Sequence, residues 1–193
     1  GSGGAAGQNR MTGKEDGGAT FGQRLQQGHG PEGRAGGGQA GGSGSTASAT
    51  AIQTAFELSN TFTVEVDFSS WGPEGRLEIG PYQTTGQGAP SGAVRAQGYS
   101  VAYSPGRGME LLRTTSRGTS VIDSAPQPLN LEDKTTHQLQ WVRELDGRMR
   151  ITVDGREVLA ATDRGFLEKF NGLRMVNRGG DYIFKQLKVY GSK

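Results

Sequence analysis

Glu65 and Asp67 stand two residues apart in Phe62-Thr63-Val64-Glu65-Val66-Asp67-Phe68. Side chains alternate faces along an extended strand, so the two carboxylates share a face about 7 Å apart. Glycoside hydrolysis needs two carboxyl groups across the scissile bond, one as acid and one as nucleophile or base. Half-buried strands also carry polar residues on their wet face as a rule, and that plainer reading is preferred. Sugar binding asks instead for an exposed aromatic ring to stack on a pyranose, with amides or carboxylates beside it. Trp71 lies in the turn-like Trp71-Gly72-Pro73-Glu74-Gly75, next to Glu74. Tyr82 follows Pro81 in a polar stretch from Gly80 to Gly92 that reads as a long loop. Trp71, Glu74, Tyr82, Glu65 and Asp67 are therefore the candidate ligand-binding residues. Tyr99, Tyr103 and Tyr182 are weaker aromatic candidates. Trp141 alternates with Leu139 and reads as core, and at 7% aromatics most such rings are needed inside.

Other chemistries find less support. His137 opens an expected strand and could act as a general base, but Thr135 and Thr136 before it favour a strand-entry role. His29 is too remote to join it in a metal site. There is no cysteine, which excludes disulfides, thiolate metal sites and cysteine nucleophiles. No Gly-x-Ser-x-Gly elbow or P-loop is present, and no dinucleotide fingerprint follows an expected strand. Ser104-Pro105-Gly106-Arg107-Gly108 reads as a hairpin turn, since no helix follows to offer its N-terminus to a phosphate. No catalytic residue is assigned, and the balance leans away from an enzyme. The net charge of +2 has no basic stripe, so nucleic acid is not an expected partner. No run of about 18 apolar residues exists to span a membrane as a helix.

The elements that must position these residues begin after a glycine-rich arm. Of the 34 glycines, 17 lie in the first 45 positions, where Met11, Phe21 and Leu25 are the only large apolar residues. Such a segment buries too little surface to offset its ordering entropy, so residues 1–50 are expected to be a disordered tether. The opening Gly1-Ser2-Gly3 looks like a cloning scar, which leads us to expect a natural signal or anchor upstream. From about residue 51 the chain reads as one domain. Phe62, Val64, Val66 and Phe68 alternate with polar residues, and Leu77 and Ile79 resume the pattern. Further strands are expected at Gly98–Tyr103, Met109–Thr114 and Thr119–Asp123. From His137 to Thr162 three strands are separated by Asp146-Gly147 and Asp154-Gly155, pairs suited to two-residue hairpin turns. Leu173–Asn177 and Tyr182–Tyr190 close the domain, and Asp163–Phe170 reads as a single turn or irregular loop. Many short strands with glycine-rich turns imply an all-β, two-sheet antiparallel sandwich. Its expected core is Phe62, Val64, Val66, Phe68, Leu77, Ile79, Leu139, Trp141, Ile151, Val153, Leu187 and Val189.

Three stretches carry a resemblance. They are Gln138-Leu139-Gln140-Trp141-Val142-Arg143, the run from Arg148 through Val153-Asp154-Gly155 to Val158, and the closing Phe184-Lys185-Gln186-Leu187-Lys188-Val189-Tyr190-Gly191. Together they resemble the concanavalin A-like (laminin G-like) jelly-roll superfamily, including its 3-keto-disaccharide hydrolase-like branch. The resemblance implies a jelly roll over residues 51–193. Its glucanase members supply catalytic carboxylates as Glu-x-Asp-x-x-Glu, whereas Ser70 stands at the third position here, so that motif is incomplete. The residues themselves call for no cofactor. Calcium enters through the laminin G-like likeness, with Asp123, Asp133, Asp163 and Asp181 as candidate ligands, although aspartate in loops is ordinary turn chemistry. The expected function is a non-catalytic, extracytoplasmic binding module, with carbohydrate as the partner. Two alternatives stay open: a hydrolase of the keto-disaccharide type, or a structural module that binds another protein.

Overall fold

The computed structural model describes residues 12–13, 19–20, 23–26, 49–85 and 95–191. The described strands are β1 (Thr12–Gly13), β2 (Ala19–Thr20), β3 (Gln23–Gln26), β4 (Ala49–Leu58), β5 (Phe62–Ser70), β6 (Arg76–Thr85) and β7 (Arg95–Ser104). They continue with β8 (Gly108–Thr115), β9 (Gly118–Ser124), β10 (His137–Arg143), β11 (Arg148–Val153), β12 (Arg156–Thr162), β13 (Phe170–Arg178) and β14 (Asp181–Gly191). No helix occurs among the described residues. The strands form two six-stranded sheets, ordered β12-β11-β10-β5-β14-β3 and β4-β13-β6-β7-β8-β9, while β1 and β2 pair with each other. All ladders are antiparallel. The expectation of a disordered arm over residues 1–50 falls mostly outside the described residues. Where that stretch is described, it forms β1 to β3 and the start of β4, and β3 joins the edge of the first sheet beside β14.

The two sheets face each other because each strand turns one alternating row of apolar side chains inward. All twelve residues expected in the core are buried. Trp141 packs edge-on against Phe62 with ring centroids 5.5 Å apart, and Phe62 meets Phe170 at 5.9 Å. Each such side chain contributes about 1.5–3 kcal/mol by leaving water. Tyr99, Tyr103 and Tyr182 belong to this core, so they are not exposed sugar-stacking rings.

The sequence reading missed β4 as a strand. Its inward row of Ile52, Phe56 and Leu58 is diluted by alanine, threonine and glutamine, which weakens the period-2 signal. The stretch read as a loop from Gly80 is also different: β6 runs on through Thr85 and pairs with β7. The two Asp-Gly turns are not alike. Asp154 and Gly155 both have positive φ, 52° and 79°, as a primed two-residue hairpin turn requires. At the other turn only Gly147 does, at 86°, and its N–H donates to Glu144 O at 3.0 Å. That is a type I turn closed by a glycine bulge, one residue longer than expected.

The Asp163–Phe170 stretch is irregular, as anticipated, and buried hydrogen bonds hold it in place. Arg143 on β10 donates through Nη2 to Asp163 O and Gly165 O, both at 2.9 Å, and through Nη1 to Asn60 O at 2.8 Å. Its guanidinium lies 5.1 Å from the Tyr99 ring centroid. Burial, and then the hydrogen bond that the Tyr99 hydroxyl donates to Asp163, push the phenol pKa well above its ordinary value. This contact ties the first sheet to the second and gives Asp163 a structural task.

Candidate functional site

The ladders decide which residues share a face. Tyr82 is directly opposite Gly172 on one side and Gly98 on the other, and Arg174 is opposite Gly80. Along β6 and β13, Leu77, Ile79, Leu173 and Met175 point into the core. By alternation Glu78, Gly80, Tyr82, Arg174 and Val176 therefore lie on the outer face of the second sheet. There they line a groove of about 90 Å³ together with Gly98, Ser100 and Thr114. That is roughly three waters' share of liquid volume, a recess for part of a small polar ligand.

The floor is made of glycine for a steric reason. A Cβ on Gly80 would sit 1.8 Å from Tyr99 O, and one on Gly98 would sit 2.1 Å from Pro81 O. No side chain fits at either position while β6 and β7 stay paired. The bare backbone leaves space that Tyr82 walls at one end and Glu78 at the other. Tyr82 is only 4% exposed, so it does not offer the open stacking face expected of a loop tyrosine.

Glu78 is already engaged. Its Oε1 accepts from Arg76 Nε at 2.9 Å and lies 3.5 Å from Arg178 Nε. Arg76 also reaches Glu110 Oε2 at 3.9 Å. Arg174, half-buried in the same groove, has no hydrogen-bond or ion-pair partner among the described residues. Along this strip three arginines face two glutamates, so the uncommitted charge is positive.

The other candidates lie elsewhere and do not converge. Glu65 and Asp67 do share a face, as expected, but it is the outer face of the first sheet. Glu65 sits between Gln140 and Lys188 and accepts from Gln140 Nε2 at 3.1 Å. Asp67 sits between Gln138 and Gln186. Neither carboxylate lines the recess of about 420 Å³ that the same sheet carries between β10, β11 and β12. Trp71 is 40% exposed, as expected, with its indole N–H donating to Ser69 Oγ at 2.8 Å and Lys134 Nζ 5.6 Å from its ring centroid. Glu74 is exposed beside it. Six residues of extended β6, roughly 20 Å, separate the Trp71 turn from Tyr82. The aromatic pair read together from sequence therefore marks two places.

His137 is pinned between two carboxylates, Nδ1 to Asp154 Oδ2 at 2.6 Å and Nε2 to Asp133 Oδ1 at 2.8 Å. Each ring nitrogen faces a carboxylate, an arrangement that favours the doubly protonated ring. Burial opposes the charge, but the two carboxylates outweigh it and raise the pKa above the ordinary histidine value. Asp133 loses some solvation, yet the Thr135 N–H and His137 hold its pKa down at about 2. The pair of bonds fastens the loop before β10 to the β11–β12 turn, as a strand-entry device would.

The four calcium candidates are dispersed. Asp123 accepts from Ala160 N at 2.8 Å, Asp133 serves His137, Asp163 serves Tyr99 and Gly165 N, and Asp181 O accepts from Trp71 N. Among the described residues no three acidic or histidine side chains gather as a metal site, so these residues do not fit a calcium ion.

Sequence reasoning missed Glu78, Gly80, Gly98, Ser100 and Arg174. Their alternation with Leu77, Ile79, Leu173 and Met175 marks them as wet-face residues. Only the strand order shows that they are neighbours.

No family model matches the sequence, and no curated protein does either. Solved structures do. The carbohydrate-binding module CBM66 from Bacillus subtilis superposes with a TM-score of 0.57 at 14% identity, covering 95% of this chain and 92% of that one. A Bacillus subtilis protein of unknown function with a galectin-like fold gives 0.61 at 11% identity, over 94% and 86%. A glycosidic hydrolase gives 0.53 at 13% identity, over 74% and 70%. A binding module and a hydrolase share this architecture, so the likeness speaks for fold and leaves function to the site. The fold of this chain is a galectin-like β-sandwich.

Proposed function

We propose that the chain is a non-catalytic carbohydrate-binding domain whose ligand lies on the outer face of the second sheet. One observation carries the reading: a recess floored by Gly80 and Gly98 and lined by Tyr82, Glu78, Ser100, Thr114 and Arg174. Hydroxyls, a carboxylate and a guanidinium around a bare backbone floor match the hydroxyl-rich edge of a sugar ring. Turnover is disfavoured because Glu78 is the single carboxylate among the groove residues, and two arginines hold it. The likeness to a carbohydrate-binding module agrees with this reading. The proposal extends to an extracytoplasmic location, which a signal or anchor upstream in the gene would support.

Calorimetric titration against a panel of neutral and acidic oligosaccharides tests it, with Tyr82→Ala and Ser100→Val as groove variants. Saturable binding that both variants weaken is the expected result. Silence across the panel, with stoichiometric capture of another protein on the same face, would point to an interaction module instead. Release of reducing sugar from any panel member would overturn the non-catalytic reading.

A further inference from the structure

Resting on that carbohydrate reading, we infer that the groove selects a saccharide bearing a carboxylate, of the uronic-acid kind, and that Arg174 is the residue that selects it. The argument starts from how charge is matched along the outer face of the second sheet. Arg76 and Arg178 both engage Glu78, and Arg76 also approaches Glu110. Arg174 stands two residues before Val176, the residue opposite Glu78, and has no partner among the described residues. Arg174 is half-buried as a residue and its guanidinium holds no counter-ion, so a bound anion would supply one.

Its placement brings the charge to the ligand. Arg174 is opposite Gly80, which has no side chain, and a Cβ at Gly80 would lie 2.7 Å from Ser100 Cα. Among the described residues, the position between Arg174 and Ser100 is Gly80, whose bare backbone packs closely on β7. A sugar ring laid on Gly80 and Gly98 can place its hydroxyls against Ser100 and Thr114 while its carboxylate meets the guanidinium. The planar fork of arginine matches a carboxylate through two parallel hydrogen bonds. A tetrahedral sulfate ester matches that planar fork less well, because two of its oxygens meet the fork and the third lies outside it.

The experiment uses matched probes on the intact chain: oligogalacturonate, the corresponding neutral galacto-oligosaccharide, and a sulfated galacto-oligosaccharide, each titrated at low and high salt. Arg174→Gln removes the charge, and Arg174→Lys keeps it without the fork. Near-ultraviolet circular dichroism and thermal melting confirm that each variant is folded. The expected result is a preference for the uronate over the neutral sugar of about tenfold or more, the size of one charge-assisted pair. Salt should reduce that preference. Arg174→Gln should abolish it, so that the two sugars bind alike, and Arg174→Lys should keep part of it. Equal binding of neutral and uronate sugars, unchanged in Arg174→Gln, would overturn the inference and leave the carbohydrate reading standing. Stronger binding of the sulfated probe would overturn the carboxylate assignment. Absence of binding to all three by the folded chain would sink both.

Discussion

The outer faces of the two sheets are built from the same alternating pattern and end up with different capacities. On the first sheet, Glu65 and Asp67 lie in a layer with Gln138, Gln140, Gln186 and Lys188. The recess of about 420 Å³ on that sheet lies away from them, lined by Val142, Arg150, Ala160 and Thr162 with neither a glycine floor nor an aromatic ring. On the second, Gly80, Gly98 and Gly172 interrupt the layer and open a recess in which Arg174 is left uncommitted. Polarity alone therefore does not distinguish a binding face from a solvated one. What distinguishes them is where side chains are missing and where a charge lacks its match.

The sharpest way to break this contrast is to disrupt the floor of the recess. Gly80→Val puts side-chain atoms where a Cβ alone would lie 1.8 Å from Tyr99 O, so β6 and β7 must separate. We expect a loss of about 3 kcal/mol or more in urea unfolding, with ligand binding abolished. A change between the two faces should hurt them equally. Arg143→Met leaves the carbonyls of Asn60, Asp163 and Gly165 without their donor. The expected cost is about 2–3 kcal/mol, read from the same unfolding curves, with sugar affinity retained in the folded fraction.

Smaller effects sharpen the contrast without breaking it. Arg174→Gln should lower affinity for an acidic sugar about tenfold and leave the melting temperature unchanged. The histidine clasp lies on neither outer face and supplies a control. Its raised pKa means that its contribution is complete below the unfolded value of about 6.5 and disappears as pH climbs through the folded one. Melting temperature should therefore decline modestly across that window, by less than about 1 kcal/mol in stability, and His137→Asn should flatten the trend. Asp133 acts in the opposite sense. Its contribution is present above the ordinary carboxylate range and is lost as pH falls through about 2. Glu65→Gln and Asp67→Asn should be the quietest, with sugar affinity unchanged in titrations that detect a twofold difference. A clear loss in either variant would move the site to the first sheet.

Much of the sandwich was legible in local pattern. The twelve core residues could be named because a strand's inward row repeats every second residue, whatever the strand pairs with. β4 was missed because alanine, glutamine and threonine dilute its row, and the continuation of β6 was missed because Gly80 and Pro81 resemble a turn. The candidate site was much less legible. Tyr82 was singled out for an exposed loop it does not occupy, while Arg174 attracted no notice among its apolar neighbours.

The sequence by itself determined the composition of each strand's two faces, the turns that glycine permits, and the absence of cysteine chemistry. The tertiary structure decided which faces became neighbours. Gly80 and Gly98 lie 18 positions apart, and Arg174 lies 76 positions beyond Gly98. They form one recess only because β13, β6 and β7 lie side by side in the second sheet. A strand's alternation is a local property, enforced by backbone geometry at each residue. The order of strands is a global one, set by the packing of the two sheets on their shared core, and the recess exists only once that order is in place.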